Sequence, residues 1–133
     1  MGDRANLVVE TGDDERVFFY THWGGSELPA ALHRGLARKQ RWDDPSYLAR
    51  ILFDELSRGH DIDDECRYGI SGRIQDNEHD VLLVRPLSKT VELHGFNNSE
   101  WKVNGDLKEP IASWTFEEFL KVDPTWEGLT NGC

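Results

Sequence analysis

The chain has 133 residues, a formal charge of −10, 38% hydrophobic residues, 12 glycines and two cysteines. Those figures describe one domain with a modest core and exclude collagen-like, disulfide-dense and fully disordered chains. No apolar run approaches the roughly 18 residues of a membrane span, and a broad duplex-binding surface is disfavoured because counterion release needs a cationic face.

Met1 to Asn6 does not read as a signal peptide. Cys66 and Cys133, two cysteines without a secretory signal, point to a reducing cytoplasm. Leu7-Val8-Val9 reads as a short strand, followed by a turn at Thr11–Glu15. Val17–Thr21 is a second strand, bulky on both faces and therefore expected inside its sheet. The segment His22-Trp23-Gly24-Gly25-Ser26-Glu27-Leu28-Pro29 hands the chain from strand to helix, with Ser26 as the expected N-cap and Pro29 in the first turn. Leu28, Ala31, Leu32 and Leu36 share one helical face with Gly35 at its centre, where close approach of another backbone is expected.

A second helix is announced by Asp44 as N-cap and Pro45 at the first helical position; it runs to about Arg58, stopped by Gly59. Its wide apolar arc, Leu48, Ile51, Leu52 and Leu56 with Ala49 and Phe53, encloses Glu55, a carboxylate that needs a partner or carries a raised pKa. His60–Arg67 is an acidic loop. Tyr68–Ile74, Val81–Val84 and Thr90–His94 read as three consecutive strands, suggesting a meander, and Glu100–Val103 as a possible sheet edge. Thr115 and Glu118 have capping-box spacing before a short helix, with Trp114 stapled onto Phe119. The fold expected is α+β: a mainly antiparallel sheet of four to six strands, two central helices and a short C-terminal helix. Residues 1–133 form one domain in this reading, with a core of about 4–122 and a loosely packed tail over 123–133.

Charge is unevenly placed. Segments 1–30, 59–80 and 81–133 carry −4, −5 and −3, whereas 31–58 carries +2 and holds Arg34, Arg38, Lys39, Arg41, Arg50 and Arg58. An anionic small molecule would sit on that island, while the overall acidity speaks first to solubility.

The leading candidate site is Tyr20-Thr21-His22-Trp23-Gly24-Gly25-Ser26. Two glycines let backbone amides approach a ligand, and a helix start offers unpaired N–H donors suited to phosphate or carboxylate. Trp23 would stack on a ring, Tyr20 and His22 would reach the same ligand from one strand face, and Arg34, Arg38 or Arg41 would neutralise its charge. The alternative is a tight turn at Gly24-Gly25 with Trp23 and His22 packed beneath the helices. Trp42 is either the second wall of a ring-binding slot or a plug at a helix junction.

Signals for catalysis are weaker. Gly69-Ile70-Ser71-Gly72-Arg73 misses the last glycine of a nucleophile elbow. His60, Asp61, Asp63 and Glu65, or His79 and Asp80, lack zinc-like spacing. His22 with Glu55 is a conceivable acid–base pair, against the alternative that an arginine neutralises Glu55. Neither cofactor nor metal is called for.

The blocks Val17-Phe18-Phe19-Tyr20-Thr21-His22-Trp23-Gly24-Gly25 with Leu28-Pro29, Arg41–Phe53, Tyr68-Gly69-Ile70-Ser71, Asp76-Asn77-Glu78 and Trp114–Phe119 resemble those of small uncharacterised proteins of bacteriophages and prophages, over about residues 16–120. The resemblance implies a phage accessory protein acting against host defences, with no catalytic residues to carry over. The function expected is therefore a non-enzymatic protein that captures a small anionic, nucleotide-like ligand as a sponge for a host immune signal, with a homo-oligomer sharing the pocket as one arrangement. The alternatives are an acidic inhibitor of a host protein and a small nucleotide-processing hydrolase.

Overall fold

A computed structural model describes residues 3–12, 15–58, 68–75, 78–95 and 110–131. In chain order the elements are β1 (Ala5–Gly12), β2 (Glu15–Thr21), a 3-10 turn (Gly25–Glu27), α1 (Leu28–Ala37), α2 (Pro45–Ser57), β3 (Tyr68–Ser71), β4 (Val81–Arg85), β5 (Thr90–His94), β6 (Ala112–Thr115), α3 (Phe116–Phe119) and α4 (Trp126–Asn131). The strands make one sheet in the order β3-β2-β1-β4-β5-β6. Every neighbouring pair is antiparallel except β1 and β4, which run parallel with Leu7 opposite Leu82 and Val9 opposite Val84. The α+β architecture expected from the sequence is the one observed.

Alternation along the strands divides the apolar residues between two faces. Leu7 and Val9 of β1, Phe19 of β2, Leu82 and Val84 of β4 and Val91 and Leu93 of β5 point toward α1 and α2 and form the main core. There they meet Leu28, Leu32 and Leu36 of α1 and Leu48, Leu52 and Leu56 of α2. Val8, Phe18, Val81 and Leu83 make a smaller cluster on the other face, with Ile74 packed against it. Buried Asn6 pins the segment after β3 to that face: its side-chain N–H donates to the Gln75 carbonyl (3.0 Å) and its oxygen accepts from the Gln75 amide (3.1 Å).

The expected meander of 68–74, 81–84 and 90–94 does not form as read. β3 crosses to the outer edge of β2, with Phe19 opposite Ile70, and β4 takes the vacant side of β1. Val81–Val84 is buried on both faces, and a strand of that kind gains most in the middle of a sheet. The meander that exists is β4-β5-β6. Its last strand was not foreseen, and the proposed strand at 100–103 lies outside the described residues, as do the acidic loop at 60–67, Cys66 and Cys133.

Three local expectations agree with the structure. The Asp44 carboxylate accepts from the Tyr47 amide with Pro45 at the first position. Thr115 and Glu118 form both halves of a capping box, and the Trp114 and Phe119 rings meet edge to face at 5.5 Å. A Cβ on Gly35 would come within 2.6 Å of a Leu52 methyl and 3.6 Å of its Cα, so hydrogen is the side chain that lets α1 and α2 close. Two expectations are corrected. Glu27, not Ser26, precedes α1, with no side-chain cap, because a 3-10 turn is inserted between strand and helix. The tail is not loose over 123–131: α4 buries Leu129 completely and sets Trp126 against the main core.

Candidate functional site

The strand-to-helix corner is built from the protein's own groups. Thr21 Oγ1 accepts from the amides of Trp23 (3.3 Å) and Gly24 (2.9 Å). Asp3 then supplies both a carbonyl to the Gly25 amide (2.8 Å) and a carboxylate to the Ser26 amide (2.8 Å). The donors that would hold a foreign anion are thus occupied by an internal one. Burial alone pushes the Asp3 carboxyl up; its hydrogen bonds to His79 and Ser26 reverse that and hold it below its ordinary value. His79 stacks flat on Trp126 at 5.0 Å, and the Trp126 indole N–H donates to the Gly25 carbonyl (2.8 Å).

This packing also explains the two glycines. A Cβ on Gly24 would meet the Tyr68 hydroxyl at 2.3 Å, and one on Gly25 would meet the Asp3 carbonyl at 2.5 Å. Both positions need hydrogen because another part of the chain passes there. The expected result of Gly25→Ala is a loss of roughly 2 kcal/mol in a urea titration, since the contact is with backbone and cannot yield by a rotamer change.

Around this corner, Tyr20 and His22 meet edge to face with ring centroids 6.3 Å apart, and Tyr20 fills the space above Gly69 on the neighbouring strand. Trp23 projects outward, 46% exposed. The arginines lie elsewhere. Arg38 follows the end of α1, about 15 Å from Leu28 at the start of that helix at ~1.5 Å per residue, and its guanidinium turns to α2.

Glu55 is the reason. Only 3% of its side chain is exposed, and it accepts from Arg34 Nε (3.3 Å), Arg38 Nε (2.9 Å) and Arg58 (3.4 Å). Arg38 also reaches Asp54 (3.0 Å). Desolvation raises the Glu55 pKa, but the hydrogen bonds and charge of Arg38, then Arg34 and Arg58, outweigh it and leave the carboxyl below its ordinary value. Glu55 is therefore a structural ion-pair centre, with arginines and not His22 as its partners. Trp42, for which two roles were open, is a plug: its indole N–H donates to the Leu36 carbonyl (3.2 Å) and its ring meets Phe116 edge to face at 5.3 Å.

Of the sequence-predicted arginines, Arg41 is the one that makes no ion pair among the described residues, and it leads to a second group. Arg41 lies over the Tyr47 ring at 4.7 Å and Arg50 lies near the same ring at 5.6 Å. Among the described residues neither makes an ion pair. Beside them is an open cleft of about 190 Å³ lined by Arg38, Gln40, Tyr47, Arg50, Ile51 and Asp54. The connection leading into it has Lys39 and Arg41 at φ 53° and 58°. Such left-handed conformations cost a residue with a Cβ about 1 kcal/mol or more, and glycine would take them freely. The chain places cations there instead, and strain of this kind gathers at functional sites. The local signal was the spacing of Tyr47 and Arg50, three apart and so adjacent on a helix surface.

Nothing in the described residues gathers three or more histidine, cysteine or acidic side chains into a group able to hold a metal ion. No described helix is long and apolar enough to cross a membrane. Ser71, in the incomplete elbow, accepts from the Arg73 amide and the Gln75 side chain. Comparison with protein-family models, curated proteins and solved structures finds no match to this chain.

Proposed function

We propose that this protein is a non-enzymatic binding module that captures a small anionic, nucleotide-like ligand on the surface formed by the α1–α2 connection and the first turns of α2. The observation that supports this reading is the pair Arg41 and Arg50 about the exposed Tyr47 ring, beside the cleft and without carboxylate partners among the described residues. Guanidinium planes give forked hydrogen bonds to phosphate and stack on flat rings, so the two halves of a nucleotide find matching chemistry in one place. The strand-to-helix corner supports the reading less, because Asp3 already holds its amides. The resemblance to small phage and prophage proteins supplies a setting, a sponge that removes a host immune signalling nucleotide without altering it.

Native mass spectrometry of the purified protein, then titration with mono-, di- and cyclic nucleotides, tests this. The ligand is expected to be recovered with unchanged mass, and the subunit number is read from the same spectra. Arg41→Ala combined with Arg50→Ala should weaken binding at least tenfold, as expected for two charge-assisted contacts, and the affinity of the parent protein should fall with added salt. Trp23→Ala should leave it within twofold. Loss of binding in Trp23→Ala with the double variant unaffected would return the site to the corner, and a ligand of altered mass would make the protein an enzyme.

A further inference from the structure

Arg50 borders a second cleft of different character. On the side of α2 that faces the sheet, Val17, Phe19, Ala49, Phe53 and Ile70 line an open cleft of about 340 Å³, with Thr11, Ser46 and Arg50 as the polar residues of its lining. The tilted pair Phe19 and Phe53, with ring centroids 5.0 Å apart, forms part of its apolar wall. Ile70 stands on the edge strand β3 with 59% of its surface exposed. A side chain of that kind normally packs; here it stands beside an apolar hollow.

From these features we infer that the cleft between α2 and the β2–β3 edge binds a small carboxylate with an apolar body, its head on Arg50 and its chain or ring between Phe53 and Ile70. Size is the first argument. At ~30 Å³ for each non-hydrogen atom, the cavity takes on the order of ten such atoms, at the small end of the range of ligand pockets. Chemistry is the second. The wall offers almost no partners for the ring nitrogens and amino groups of a base, so a purine would be stripped of water without replacement bonds. A hydrocarbon body loses nothing by entering. Charge is the third: Arg50, the one cationic residue of this lining, makes no ion pair among the described residues. The inference shares Arg50 with the nucleotide reading but does not rest on it.

Octanoate, with ten non-hydrogen atoms, is the probe, compared with octanol and acetate by calorimetry and by methyl NMR of the whole chain. Octanoate should bind once and saturably, with shifts concentrated at Val17, Ala49 and Ile70. Octanol should bind about tenfold more weakly for want of the charge, and acetate should not bind measurably. Ile70→Glu, an exposed change that brings a like charge to the cleft, and Arg50→Gln should each weaken octanoate at least tenfold. Leu87→Glu, an equally exposed site in the β4–β5 turn, should have no effect. Equal affinity for octanol and octanoate, or indifference to Ile70→Glu, overturns the inference. So does a dimer that Ile70→Glu dissociates with no octanoate uptake, since the cleft would then belong to a second copy of the chain. Saturable octanoate binding with all nucleotides inert would remove the earlier reading and leave this one.

Discussion

Replacing Glu55 by alanine is expected to lower the unfolding free energy by about 3 kcal/mol near neutral pH. The carboxylate is almost wholly buried on α2 beside the Gly35 contact and holds Arg34, Arg38 and Arg58 together. Its removal leaves three guanidiniums facing one another across the seam between α1 and α2. Breaking a buried pair by deleting one partner costs about 3–5 kcal/mol; the low end applies because Arg34 and Arg58 reach water. Glu55→Gln keeps the shape and some of the hydrogen bonds, so it should lose less. The pH dependence has a definite sign. The folded pKa of Glu55 lies below its ordinary value of 4.5, so the folded protein resists protonation and the unfolded chain takes the proton first. The contribution of Glu55 is therefore complete above about pH 4.5 and is lost as the pH falls through the folded pKa. Urea titrations of the parent and Glu55→Gln proteins should thus differ most near neutrality and converge in acid. Asp3, also held below its ordinary value, adds a loss of the same sign that persists in the variant.

The features legible in the sequence are those whose cause lies within a few residues. Asp44 and Pro45 start α2, Thr115 and Glu118 close a capping box, and the apolar arc of α2 shows that Glu55 needs either a partner or a raised pKa. Capping residues and periodicity carry that information. Strand pairing is different. Val81–Val84 is plainly a core strand, but its sequence does not say that β1 rather than β3 will be its neighbour, and three successive strands suggest the shortest connection. The candidate site failed to assemble as read for the same reason. Gly24, Gly25 and a helix start are equally consistent with a ligand or with a distant carboxylate, and the residue that decides is Asp3, 23 positions before Ser26. The stripe of arginines was visible, but its commitment to Glu55 is a matter of which α2 face meets α1. The pair Arg41 and Arg50 about Tyr47, without ion pairs among the described residues, appears only once that packing is known.

Trp126→Ala is expected to cost about 3 kcal/mol, although the tail reads as dispensable in the sequence. Trp126 lies 101 positions from Gly25, yet its indole N–H satisfies the Gly25 carbonyl, its face carries His79, and its edge joins the main core. Truncation to alanine removes all three. Losses for a tryptophan truncated in a core are about 3–5 kcal/mol; a half-buried ring belongs at the lower limit, and the orphaned carbonyl adds to the loss. Trp126→Phe should separate the contributions, keeping most of the stacking while removing the donor, for a cost near 1 kcal/mol. The consequence reaches the corner as well. His79 is held between Trp126 and Asp3, and Asp3 caps the Ser26 amide, so loosening α4 should free the Asp3 carboxylate and expose the amides at residues 25 and 26. Amide hydrogen exchange is the measurement that distinguishes this from a general loss of stability. Gly25 and Ser26 should exchange faster in Trp126→Ala than the global unfolding free energy accounts for, while amides in β1 and β4 should follow global unfolding. Uniform acceleration at all of these positions would mean that α4 is only a weight-bearing part of the core and not the clasp that keeps the corner closed.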